Sequence, residues 1–214
     1  MAHLNRYPAG IFIEAERWFD RSRAALLGEM PCRRGCSRCC TGLFPITILD
    51  AALLREGLEK SDASVRRDIE ARATQQVAMI EQAYPTVAES PEVDTWREED
   101  LDVVVGRFAD LPCPALAPDG SCLLYAFRPV TCRMMGVPVE VEDHVHGACD
   151  VQMSVPIVRL PTTLLTQENQ LAEMEETVLA SLRNSNDQSG DELLLPYGFL
   201  PRSLPTVPSI LDTA

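Results

Sequence analysis

Eight cysteines in two groups constrain this 214-residue chain more than any other feature. The first group is Cys32-Arg-Arg-Gly-Cys36-Ser-Arg-Cys39-Cys40, and the second is spread over Cys113, Cys122, Cys132 and Cys149. Thiolates so closely spaced in a glycine-containing loop can converge on one ion or cluster at little loop-closure cost. Arg33, Arg34 and Arg38 lie among them, and cations there lower thiol pKa values and offset the charge of a polythiolate site. In the second group, Pro114 and Pro129 stiffen the segments beside the cysteines. The turn signal Pro118-Asp119-Gly120 folds the chain back and brings Cys113 toward Cys122.

A free cysteine is also a small buried hydrophobe. That reading suits Cys40 and Cys149 best and does not account for the clustering of all eight. Adjacent Cys39 and Cys40 do not readily aim at one point: either one ligates while the other packs, or they serve two centres. Cys32, Cys36, Cys39, Cys113, Cys122 and Cys132 are therefore the firmer candidate ligands, with Cys40 and Cys149 as packing or auxiliary residues. Disulfide staples are not needed, because a chain this long can bury a sizeable core. The N-terminus lacks the apolar core of a signal peptide, and no apolar run approaches the roughly 18 residues that span a bilayer. The expected compartment is the cytoplasm, where thiols stay reduced and metal or redox chemistry comes before disulfides.

Nineteen Lys+Arg against 32 Asp+Glu give a net charge of −13, which argues against nucleic acid and anionic membranes as partners. A protein partner is left open. The helical period predicts α-helices over about Ile11–Leu27, from Thr47 to about Leu58, from Ser61 or Ser64 to Pro85, and over roughly Thr163–Leu182. Ile11, Ala15, Trp18, Phe19, Ser22, Ala25 and Leu26 share one face of the first. Thr47-x-x-Asp50 and Thr95-x-x-Glu98 both read as capping boxes; the valine run after the second also suits a strand. Residues Pro31–Gly42, Thr86–Asp94 and Asn184–Gly190 read as loops or connectors, Ala115–Tyr125 as two short strands, and Pro129 as the first turn of a short helix. Residues 151–161 and the tail with Pro196, Pro201, Pro205 and Pro208 read as extended. The expected fold is mainly α, with irregular cysteine-rich loops and a short β-hairpin, in a single metal- or cluster-centred domain. Its segments are an N-terminal helix (1–30), the cysteine-cluster domain (31–155), and a C-terminal helix with a proline-rich tail (156–214).

The ordered motifs Cys-x3-Cys-x2-Cys-Cys, Cys-Pro-x-Leu and Asp-Gly-x-Cys-x-x-Tyr-x-x-Arg-Pro-x-x-Cys-Arg resemble the YkgJ-type cysteine-cluster family of zinc- or iron-chelating domains. They stand at Cys32, Cys36, Cys39 and Cys40; at Cys113, Pro114 and Leu116; and at Asp119, Gly120, Cys122, Tyr125, Arg128, Pro129, Cys132 and Arg133. The resemblance brackets residues 32 to about 150 and leaves out the first helix and the tail. The cysteine order is also similar to that of FliB-type flagellin lysine-N-methylases. There the resemblance implies an iron–sulfur centre and methyl transfer from S-adenosylmethionine, although those proteins are larger and match only in the cysteine motifs.

All-cysteine ligation suits tetrahedral zinc and iron–sulfur clusters alike. Two four-cysteine zinc sites would use all eight thiols, each adding about 10–16 kcal/mol. Only Cys36-x2-Cys39 has the paired spacing of a zinc knuckle, however, and ligands from distant loops favour a [4Fe–4S]-like cluster over zinc or an iron ion. Cys32-x3-Cys36-x2-Cys39 is also the radical-SAM spacing. Arg38 in place of an aromatic residue, a preceding helix and no strand–helix alternation argue against that fold. His144 and His146 are candidate auxiliary ligands, though solvated loop histidines are the simpler reading. Tyr125 and Arg128 read as braces of the ligand loops.

Overall fold

The structure is a computed structural model that describes residues 7–25, 36–137, 139–141, 144–146, 162–186 and 190–201. Helix α1 (Tyr7–Ala25) buries Ile11, Phe12, Ala15, Trp18, Phe19 and Ser22 along one face, while Ala25 at its end is exposed. Leu26 lies outside the described residues. Strand β1 (Pro45–Thr47) runs directly into α2 (Ile48–Lys60), and α3 (Ala63–Ala83) follows with Ile69, Ala73, Val77 and Ile80 buried. The remaining helices among the described residues are α4 (Thr86–Glu89), α5 (Glu98–Arg107), α6 (Val130–Met134) and α7 (Thr162–Asn186). Helix α1 packs on α7 and α6, and the Trp18 indole N–H donates to the Leu164 carbonyl at 2.8 Å. No described helix is long and apolar enough to cross a membrane.

The mainly helical expectation holds, with cysteines chiefly in loops. The described hairpin, however, is formed by β2 (Val139–Val141) and β3 (His144–His146), with Val139 opposite His146. Over Ala115–Tyr125 there is one bridge, Leu116 to Cys122, in place of two strands. The turn itself is as expected: Gly120 sits at φ +82°, and Ala117 N–H bonds the Ser121 carbonyl at 2.8 Å. Beyond Leu123 the chain turns into a 3₁₀ turn at Tyr125–Phe127, which stops the ladder.

Three further expectations are corrected. Thr95 caps nothing: it ends a 3₁₀ turn (Val93–Thr95), its hydroxyl bonds the Glu92 carbonyl at 2.6 Å, and Arg97 precedes α5 without a side-chain cap. Glu98, Glu99 and Asp100 in the first turn suit the α5 dipole instead, and the valine run is helical. The Thr86–Asp94 connector is partly ordered, because Val87, Pro91 and Val93 are buried. Helix α7 continues to Asn186, past the expected loop start.

The C-terminal segment is also more ordered than an extended tail. Strand β4 (Glu192–Leu194) pairs antiparallel with β1, Ile46 opposite Leu193, and a 3₁₀ turn (Leu195–Phe199) with Pro196 in its first turn is wholly buried against α2 and α3. Residues 151–161, Pro205 and Pro208 lie outside the described residues.

The Thr47–Asp50 capping box forms: Asp50 N–H donates to Thr47 Oγ1 at 3.3 Å, and Thr47 N–H donates to Asp50 Oδ2 at 3.4 Å. Asp50 Oδ1 also accepts the N–H of Val130, the first residue of α6, at 2.8 Å. One carboxyl group thereby caps two helices. Burial, reinforced by Glu175, pushes its pKa up to about 7. A carboxyl held above its unfolded pKa contributes stability that is present at acid pH and lost as pH rises through about 7. Asp50→Ala leaves buried amides without acceptors and costs about 2–4 kcal/mol in denaturant unfolding. Asp50→Asn keeps the acceptor for Val130, costs less than the alanine, and flattens the stability profile between about pH 4 and 7.

Candidate metal centre

Four separate stretches of chain deliver cysteines to one cavity of about 140 Å³. Cys36, Cys39 and Cys40 come from the loop and 3₁₀ turn at Arg38–Cys40, Cys113 from the loop after α5, Cys122 from the Gly120 turn, and Cys132 from α6. The first two stretches are tied by backbone bonds: Cys113 N–H donates to the Cys40 carbonyl and Gly42 N–H to the Leu111 carbonyl, both at 2.8 Å. Gly42 sits at φ +89°, and a Cβ there would stand 3.1 Å from the Ala109 carbonyl oxygen, so the crossing needs glycine.

Helix α3 holds the second cysteine loop from outside. Gln76 Nε2 donates to the Pro112 carbonyl at 2.8 Å and Arg72 Nη1 to the Leu116 carbonyl at 2.9 Å, on either side of Cys113. Helix α1 holds the fourth, which carries Cys132. Glu16 accepts Arg128 Nη2 on both oxygens, at 3.2 and 3.0 Å, and Arg133 Nη1 on Oε2. Arg133, itself buried, also donates to the Arg128 and Ala126 carbonyls at 2.9 and 2.8 Å. Arg128 lies 3.7 Å over the Tyr125 ring. On the α2 side, a Cβ on Gly57 would fall 2.6 Å from Cγ of Phe127, so glycine there admits the ring that leads into Arg128.

The thiols feel one another. Burial pushes Cys113 up to about 12, with Cys122 adding to the effect. Cys39 is raised by its hydrogen bond with Cys40 and then by burial, and Cys122 by burial and by Cys39. Burial raises Cys132 well above an ordinary thiol, and Cys113, Cys39, Asp50 and Cys122 add repulsion. Among the described residues, no three His, Cys, Asp or Glu side chains converge on a position for a single metal ion. The cysteines line a space rather than close on a point.

The donor set fits zinc or iron. Among the described residues, the ionisable side chains lining the cavity are six cysteines with Arg23, Arg128 and Tyr125, and no carboxylate, which suits soft thiophilic metals and not calcium or magnesium. A family model described as "CxxCxxCC: Putative zinc- or iron-chelating domain" matches residues 31–150, more than half of the chain. The chain belongs to this family. As a CxxCxxCC domain it is a metal-binding module of the zinc- or iron-chelating kind, and the matched span holds all eight cysteines. No match was found among curated proteins or solved structures.

Cys32, Cys149, Arg33 and Arg34 lie outside the described residues, as do the side chains of His144 and His146, whose backbone forms β3. Sequence reasoning missed Glu16, Gln76 and Arg72, which carry no local signal. It marked Asp50 only as a cap.

Because Cys39, Cys113, Cys122 and Cys132 are held protonated, loading a metal on them must displace protons. Apparent zinc or iron(II) affinity rises steeply from pH 6.5 to 8 in chelator competition, with proton release visible in weakly buffered solution. A flat profile would contradict the raised thiols.

Proposed function

We propose that this protein coordinates an iron–sulfur cluster, of [4Fe–4S] type, through the cysteines of residues 31–155, in the reducing cytoplasm. The observation that carries this reading is the cavity: six cysteines from separated stretches line one space, and among the described residues no three ligand side chains gather for a single ion. Four thiolates on one zinc, at Zn–S distances of about 2.3 Å, must come within about 4 Å of each other. A polynuclear cluster holds its thiolates further apart and accepts ligands from distant loops.

Cys36, Cys39, Cys113, Cys122 and Cys132, with Cys32, form the core of the proposed ligand set; Cys40 and Cys149 are auxiliary. The Cys40 carbonyl already serves as the acceptor for Cys113 N–H, which gives residue 40 a structural task whichever metal is bound. A second reading, a zinc-stabilised interaction module, has the family description in its favour.

Purification without oxygen separates the two. The proposed centre gives brown protein with iron and acid-labile sulfide in equal amounts, whereas colourless protein carrying zinc alone would exclude it. Serine at Cys113, Cys122 or Cys132 should remove more than half of the bound iron, and serine at Cys40 clearly less. Equal losses at all four positions would break the proposed ranking.

A further inference from the structure

Of the arginines interleaved with the first cysteines, Arg38 lies among the described residues and Arg33 and Arg34 do not. Arg38 is exposed and does not line the cavity. Arg128 does line it, and its charge favours the thiolates of both Cys39 and Cys122. Its side chain is only 14% exposed and is fixed on three sides. Nε donates to the Tyr125 carbonyl at 3.0 Å, Nη2 reaches both oxygens of Glu16, and the guanidinium lies over the Tyr125 ring. Glu16 is shared with Arg133, so one carboxylate faces two guanidiniums and the triad keeps one positive charge beside the cysteines. Asp50, an acid also near this site, lies on the Cys132 side, hydrogen-bonded to Val130 N–H.

We propose that Arg128 is the counter-charge of the thiolate-bound centre, and that Glu16 sets how much of that charge the centre feels. This rests on the iron–sulfur reading above. A fixed cation near a cluster stabilises the reduced state, which carries one more negative charge, and so raises the reduction potential. A carboxylate behind that cation weakens the effect. Arg128 is thus a positioning and tuning residue for the centre and not itself a ligand.

The test is a mediated potentiometric titration of the full chain, loaded without oxygen and reduced with dithionite, as wild type, Arg128→Gln, Arg128→Lys and Glu16→Gln. Arg128→Gln should shift the reduced-to-oxidised ratio at a given potential at least tenfold toward oxidised, a fall of about 59 mV for one electron. Arg128→Lys should fall less than Arg128→Gln, and Glu16→Gln should rise. A merely structural brace would lower iron content in both Arg128→Gln and Glu16→Gln and would not move their potentials in opposite directions. Unmoved potentials, or shifts of one sign in both, overturn the proposal. Where Arg128→Gln does not load, Glu16→Gln decides alone: a rise supports the proposal, and no shift or a fall overturns it. Wild type lacking iron and sulfide overturns the iron–sulfur reading itself, and that result is read before any variant.

Discussion

The carboxyl group of Asp50 holds together parts of the molecule that the chain keeps far apart. It closes the capping box of α2 and, from the other oxygen, accepts the first N–H of α6, which carries Cys132. Helix α2 also follows β1 without a break, and β1 pairs with β4, whose continuation forms a buried floor through Leu195–Phe199. A single buried hydrogen-bonding group thus fixes one cysteine relative to the hydrophobic core. An amide at a buried helix start has few alternative partners, so its acceptor is specified sharply.

Glu16 plays the matching part from the opposite side. It draws Arg128 and Arg133, the two arginines that flank Cys132, onto α1. The cysteine-bearing segment between Tyr125 and Met134 is therefore clamped between α2 and α1, by one acid on each. The matched family span begins after α1, yet α1 supplies Glu16 to the clamp and Phe19 and Arg23 to the cavity wall. The metal-binding module and its N-terminal helix work as one unit in this chain.

What was legible in the sequence was local or ordered. The periods of α1 and α3 and the Thr47–Asp50 box depend on neighbours within a few residues, and the structure bears them out. The cysteine order was enough to reach the family. Thr95-x-x-Glu98 has the same spacing as the real box and fails, because α5 begins only at Glu98, with Arg97 in the cap position, while Thr95 ends a separate 3₁₀ turn. The β1–β4 pair was invisible, since strands of three residues carry no usable period and join residues 45–47 to 192–194. Glu16 was invisible for a related reason: its partners stand 112 and 117 residues away, and nothing beside it marks an acid on an amphipathic helix as an arginine clamp.

The electrostatics of the cavity follow from burying thiols together. Without a cation, each added thiolate raises the cost of the next, and burial compounds it, so Cys39, Cys113, Cys122 and Cys132 are held in their protonated form. A bound thiophilic metal adds an attraction to every thiolate that outweighs those costs and holds its ligands deprotonated. The acidity of the whole chain does not change the selectivity of the described site, because no carboxylate among the described residues lines the cavity to offer hard cations an oxygen cage. What discriminates is the donor set: sulfur on the walls, aromatic and aliphatic residues around it, and the clamped Arg128 beside it to offset charge that the thiolates bring. The clamp and the backbone ties that hold the loops therefore do two jobs together. They fix the distances between thiols, and they fix the position of the charge that makes several thiolates tolerable in one place.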